Sequence, residues 1–290
     1  MNKILAITFT FLLCTAANAN DAEAYIKKGH EHYDKKDYDN AIQEYTEAIR
    51  LDPNNKGLYY IRGRAYYGKK DYDNAISDLT LVIQRTPNFA DAYEWRGYTY
   101  HDKKDYDQAI SDYSEAIRLD PSKAGIYFVR GNAYYEKKER DKAISDYTQT
   151  IRLNPNSAQV YYKRAYAYHD KKDYDQAISD YSEAIRLDPN NAQAYNDRGY
   201  AYQDKKEYDK AILDYTEAIR LNPNSAQAYI NRGYAYDDKG DKDNAIADLE
   251  TALRIAPNNS EVKEELEKIR EAKGRPAQAI DGFEKFNEAR

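Results

Sequence analysis

The stretch HDKKDYDQAISDYSEAIRLDP occupies His101–Pro121 and occurs again, unchanged, at His169–Pro189. A catalytic centre is normally needed once, so a copy placed 68 residues downstream points to architecture. Prolines extend the ruler: Pro53, Pro87, Pro121, Pro155, Pro189, Pro223 and Pro257 lie 34 residues apart. Ala41, Ala75, Ala109, Ala143, Ala177, Ala211, Ala245 and Ala279 keep the same period. So do Gly29, Gly63, Gly97, Gly131, Gly199 and Gly233, with Ala165 filling the vacant slot. A chain of 290 residues would ordinarily make about two domains. A stacked array escapes that estimate, because it buries its core between neighbouring units.

Each unit reads as two helices. Tyr25, Gly29 and His32 fall at i, i+4 and i+7 on one helical face, and Ala41, Tyr45 and Ala48 repeat the spacing. Asp37 stands where it can cap the second helix, Pro53 blocks its continuation, and Asn54 is placed to cap the next. A glycine inside a helix costs about 1 kcal/mol relative to alanine. Close packing of the two helices at Gly29 and Ala41 is the expected compensation.

A 34-residue unit with Tyr, Gly, Tyr, Ala, Tyr and Pro at fixed offsets resembles the tetratricopeptide repeat, a helix–turn–helix motif. The resemblance covers residues 22–259 as seven repeats: 22–55, 56–89, 90–123, 124–157, 158–191, 192–225 and 226–259. It implies an all-α fold, a right-handed α-solenoid whose first helices line a concave, ligand-binding surface. One departure is the turn, where the family favours glycine but this chain has Lys36, Lys70, Lys104, Lys138, Lys172 and Lys206. A left-handed backbone there would cost roughly 1 kcal/mol per lysine. The end also departs. Residues 260–290 keep Leu266, Ala279 and Phe283 in register but lose the Tyr and Gly positions, and they read as a capping helix pair with a polar outer face.

The first 19 residues belong to another class. A positive start, the apolar stretch ILAITFTFLLCTA and Ala17-Asn18-Ala19 read as a secretory signal peptide cut before Asn20. The apolar run is shorter than the ~20 residues a membrane span needs. Cys14, the one cysteine, lies inside this leader, so the mature chain would carry no thiol or disulfide. The expected location is outside the cytoplasm, periplasmic or secreted, with no transmembrane anchor after cleavage. Net charge is −6. That excess of acid argues against nucleic acid as a partner, since phosphate binding needs clustered Lys and Arg.

Numbered from Ala22, all 32 tyrosines fall on seven of the 34 positions of the unit. Twenty-three lie at positions 4, 11, 17 and 24, which we assign to packing between helices. The other nine lie at positions 5, 9 and 12, a stripe turned by about 100° from the packing stripe. They include Tyr60, Tyr98, Tyr162, Tyr166, Tyr200 and Tyr234. In the family resembled, positions 2, 5, 9, 12 and 13 contact ligands. Repeats two to four add Ile61, Trp95, Phe128 and Asn132 to this lining, its most apolar part. Repeats six and seven add Asp197, Asp204 and Asp238. Leu81, Val82 and Phe89 also set repeat two apart, as a contact patch or a repacked core.

These residues predict a non-catalytic scaffold that holds a peptide or protein segment in an aromatic and acidic groove. Its partner would bring apolar anchors to the N-terminal half and a basic segment to the C-terminal half. A polysaccharide or cell-wall glycan is the alternative ligand, since tyrosine faces beside carboxylates suit sugar rings. Self-association through the uncapped first repeat is a further expectation. The Lys and Asn pair with which one subfamily clamps acidic C-termini is missing: position 5 reads Ile26, Tyr60, Glu94, Phe128, Tyr162, Asn196 and Ile230. The four histidines, His30, His32, His101 and His169, are not spaced for a shared metal ion, and no catalytic constellation or phosphate loop is present. Neither an enzyme nor a cofactor is expected.

Overall fold

The computed structural model describes residues 21–274. The expected leader, the second helix of the expected cap, Ala279 and Phe283 lie outside the described residues. Among the described residues there are fifteen helices and no strand. The chain divides into two compact units after Leu153. The first holds α1 (21–34), α2 (Tyr38–Leu51), α3 (Lys56–Lys69), α4 (Tyr72–Arg85), α5 (Ala90–Asp102), α6 (Tyr106–Leu119), α7 (Ala124–Glu136) and α8 (Arg140–Leu153). The second holds α9 (Ala158–Asp170), α10 (Tyr174–Leu187), α11 (Ala192–Asp204), α12 (Tyr208–Leu221), α13 (Ala226–Lys239), α14 (Lys242–Ile255) and α15 (Ser260–Ala272). Within each unit every helix packs on its chain neighbours, which is the stacking expected of a repeat array.

The turns explain why each helix pair closes the same way. Lys36, Lys70, Lys104, Lys138, Lys172 and Lys206 all take φ of 60–65°, and Gly240 occupies the same slot at 89°. The Lys36 N–H donates to Tyr33 and the Asp37 N–H to His32, the paired bonds of a Schellman ending. Asp37 then caps α2 by accepting from the Asn40 N–H. The cap of α3 is Asn55, which accepts from the Gly57 N–H, and not the neighbouring Asn54. The chain needs the extra residue because Asp52 and Pro53 have to complete the exit from α2 before a capping side chain can face α3.

Position 24 supplies the core. Tyr45, Tyr113, Tyr147, Tyr181 and Tyr215 are all but completely buried. Each ring of the first two of these lies on a glycine of the paired first helix, and a Cβ built on Gly97 would stand 2.7 Å from Tyr113. Ala165 occupies the equivalent slot above Tyr181 and is itself fully buried, so the ring can yield to one methyl. Burial favours the neutral phenol and pushes Tyr45 up to about 12.

A charged ladder runs through the same interfaces. Arg62–Asp78, Arg96–Asp112 and Arg130–Asp146 pair in the first unit, and Arg164–Asp180, Arg198–Asp214 and Arg232–Asp248 in the second. Arg96 is bidentate, with Nε 2.8 Å and Nη2 2.7 Å from the two Asp112 oxygens. Its Nη1 donates to Thr80 Oγ1 of the preceding repeat, so one guanidinium ties three helices together. Sequence reasoning missed this ladder although its signal was available: Arg at position 7 and Asp at position 23 keep the 34-residue period.

Val82 is buried and packs with Ile83, Ala92, Tyr60 and Phe89. Repeat two is thus a repacked repeat at these positions. At the other end, α15 buries Val262, Leu266 and Ile269 against Ile246, Leu249 and Leu253. Its Arg270 reaches Glu250 on α14 at 2.7 Å.

Candidate functional site

The proposed lining separates into residues consumed by packing and residues left for a ligand. In the first unit most are consumed. Ile61 packs against the clusters around Tyr45 and Leu58. Tyr60 meets Phe89 edge-on at 5.1 Å, and Phe128 lies 5.9 Å from Tyr147. Asn132 accepts a 2.9 Å hydrogen bond from the buried Tyr147 hydroxyl. Tyr98 stacks edge-on between Trp95 and Tyr113 while its hydroxyl donates to Glu94. Trp95 itself is half-buried, with the Arg64 guanidinium 4.6 Å from its ring centroid. The apolar anchor surface expected in repeats two to four is therefore largely packed against its own helices, and Arg64 covers the face of its Trp. The reason is geometric: positions 5 and 6 of a first helix touch the preceding and following repeats in a tight stack.

The second unit differs. Tyr166 and Tyr200 stay 42% and 49% exposed, the highest values of any tyrosine in the described chain. They flank a cleft of about 580 Å³ whose lining also includes His169, Asp170, Tyr174, Tyr181, Asp197 and Asp204. α9 and α11 supply the walls and Tyr181 of α10 the floor. Position 9 places the two exposed tyrosines one repeat apart on facing first helices, so the stacking of repeats itself generates the cleft. His169 Nε2 sits 2.9 Å from Asp204 Oδ2, and its ring is 5.2 Å from Tyr200.

A hydrogen-bonded web fixes the acidic groups. The Tyr162 hydroxyl donates to Asp197 Oδ2 at 2.5 Å, across one repeat. Burial first, and the bond to Asp197 second, push the Tyr162 phenol up, so it remains a donor at neutral pH. Gln193 and Asn196 donate to the other Asp197 oxygen. Gln203 holds Asp238 at 2.8 Å, and Tyr234 packs against the α14–α15 cluster instead of facing the cleft. Position 12 of one repeat thus meets position 13 of the next, as Tyr67 does Asp102 in the first unit. Asp170, Asp197 and Asp204 with Lys172 as counter-charge leave the cleft acidic. Such a site can receive a cation between aromatic faces.

The comparisons with known proteins agree with the repeat fold. A family model described as TPR repeat matches residues 29–70, 97–138, 131–172 and 165–206. Two models described as tetratricopeptide repeat match residues 192–225 and residues 57–89 and 226–259. Among solved structures, MamA is 28% identical, with a TM-score of 0.56 over 59% of this chain and 94% of its own. The C-terminal part of a TPR repeat-containing protein from Cytophaga hutchinsonii reaches a TM-score of 0.73 at 22% identity, covering 82% of this chain and 98% of its own. YrrB, described as a TPR protein with an unusual peptide-binding site, gives 0.58 at 21% identity over 64% of this chain and 96% of its own. A search of curated proteins returned no match.

Proposed function

Because the chain belongs to the tetratricopeptide repeat family, we propose that it is a non-catalytic protein-interaction scaffold that seats a basic side chain of a peptide or protein segment in the cleft of its second unit. One observation carries this reading: Tyr166 and Tyr200 remain exposed beside Asp170, Asp197 and Asp204, whereas Tyr98, the tyrosine at the same repeat position in the first unit, is packed between Trp95 and Tyr113. Exposed aromatics anchor interfaces at low entropic cost, and a Lys or Arg between two rings gains both cation–π and carboxylate attraction. The segment's backbone would run along the exposed first-helix faces of α9 and α11.

The test is binding of Lys- and Arg-containing peptides to residues 20–290, against a Tyr166→Ala, Tyr200→Ala variant of unchanged helicity. We expect at least tenfold weaker binding by the variant and a clear loss of affinity as salt rises. Equal binding by both proteins would remove the cleft from the account. Salt-insensitive binding on a glycan array, lost in the same variant, would favour a polysaccharide ligand instead. The leader at residues 1–19 adds the proposal that the scaffold works in the periplasm or outside the cell. Recovery of a chain starting at Asn20 from an extracytoplasmic fraction is its check, and an intact Met1 chain in the cytosol would refute it.

A further inference from the structure

The cleft of the second unit is lined by rings as much as by charge. Tyr174, His169 and Tyr200 form a row, with neighbouring ring centroids 5.3 and 5.2 Å apart. Tyr166 borders the same space and Tyr181 lies at its floor. The face of a tyrosine ring carries negative π density, which attracts a cation without any hydrogen bond. A volume of about 580 Å³ is in the range of sites for small organic groups.

The carboxylates of the cleft offer charge but little hydrogen-bonding capacity. Asp197 accepts from three donors: the Tyr162 hydroxyl at 2.5 Å, Gln193 at 2.8 Å and Asn196 at 3.1 Å. Asp204 lies 2.9 Å from His169 Nε2, within ion-pair range though not aligned as a hydrogen bond. Desolvation first, then the charge of Asp204 and a hydrogen bond to it, raise the Tyr174 phenol. Asp170 is engaged as well. A lysine ammonium is strongly hydrated and brings three N–H donors. On entering this cleft it would exchange water for acceptors that protein donors already occupy. A quaternary ammonium has no N–H to satisfy, and aromatic faces suit it directly. The attraction of the three carboxylates, opposed by Lys172, acts on both ions alike.

We propose that the cleft selects a quaternary ammonium group, the trimethylammonium of a methylated lysine or of choline, over the primary ammonium of an unmodified lysine. This inference rests on the reading of the cleft as a cation site and specifies the cation. Tyr166, Tyr174 and Tyr200 supply the faces, and Asp170, Asp197 and Asp204 supply the field. The donors bound to Asp197 and Asp204 supply the selectivity, because they leave a primary ammonium short of acceptors.

Calorimetric titration of the full chain tests this with four probes. Two are otherwise identical peptides carrying lysine or trimethyl-lysine, the third is choline, and the fourth is the uncharged tert-butyl analogue of choline. The trimethyl-lysine peptide should bind about tenfold more tightly than its lysine twin, and choline should bind where its uncharged analogue does not. That comparison uses the unmodified protein, so it stands whether or not a substitution disturbs folding. In a Tyr166→Ala, Tyr200→Ala variant the preference between the two peptides should fall to near unity. A methylated peptide that outbinds choline assigns the group to a side chain of the partner segment. Choline bound with neither peptide bound would assign a free ammonium compound and refute the peptide reading. Equal or tighter binding of the lysine peptide would overturn the selectivity and leave the cation cleft standing. Binding of the uncharged analogue as tightly as choline would also overturn it, since an apolar group would then suffice. Failure of all four probes would remove both this inference and the reading beneath it.

Discussion

Six lysines hold the left-handed position that ends a first helix, where only Gly240 and Gly274 among the described residues have the residue suited to it. Each backbone bond of the turn is nevertheless made, so the strain is local and its removal should be visible as stability. Lys104 is exposed in its turn, and Lys104→Gly should stabilise the chain by about 1 kcal/mol. Urea unfolding measures this directly, and an unchanged or lowered midpoint would show that the turn is not strained. The same residue-scale logic separates Arg62 from Arg64. Both lie on α3 two positions apart, yet one points to Asp78 and the other into an aromatic cage. The 34-residue period marks Arg62 as one of the paired position-7 arginines, but it says nothing of what surrounds Arg64, the one arginine at position 9. The vacancy under Arg64, whose Nε–H has no hydrogen bond among the described residues, depends on Leu79, fifteen positions away in sequence and brought close by the turn.

At the scale of the helix pair, the Arg–Asp ladder joins a first helix to its own second helix and to the preceding repeat. Asp112 is almost fully buried, and desolvation raises its carboxyl above the usual range despite the Arg96 partner. Asp112→Ala should therefore cost about 3 kcal/mol, because it strands a half-buried guanidinium. A combined Arg96→Met, Asp112→Leu change should recover most of that loss, since the desolvation penalty disappears with the pair. A single substitution costing less than ~1 kcal/mol in chemical denaturation would mean that water reaches Arg96 freely. The helix pairs themselves were legible from Tyr, Gly, Ala and Pro at constant offsets. The cap at Asn55 was one residue beyond the one expected, because exit from α2 and entry to α3 share the same short turn.

For the whole molecule, the position-24 tyrosines act together. Tyr45 is pushed up to about 12, and burial also raises Tyr113, Tyr147, Tyr181 and Tyr215. A phenol whose value rises on folding contributes stability that is complete below its unfolded value near 10. That contribution is lost as pH climbs through the folded value. The helices should hence melt on alkaline titration between about pH 10 and 12, with a late class of phenolate absorbance appearing at the same point. Ionisation of all tyrosines near pH 10 with helicity intact would contradict the burial described. The C-terminal end makes a second whole-chain prediction. A chain ended at Asn259 would uncover Leu249 and Leu253, and light scattering should then detect association absent from the full chain. A monodisperse truncated chain would mean that α15 is no cap.

The repeat, its 34-residue length, the helix pairs and the tyrosines that pack were all legible from residue spacing, because period and residue size are local properties of a helix face. Tertiary structure decided which stripe tyrosines remain available. Tyr98 and Tyr166 occupy the same repeat position, yet Tyr98 wedges between Trp95 and Tyr113 while Tyr166 borders an open cleft. Exposure depends on the size and polarity of side chains one repeat away, and those contacts exist only once the repeats are stacked.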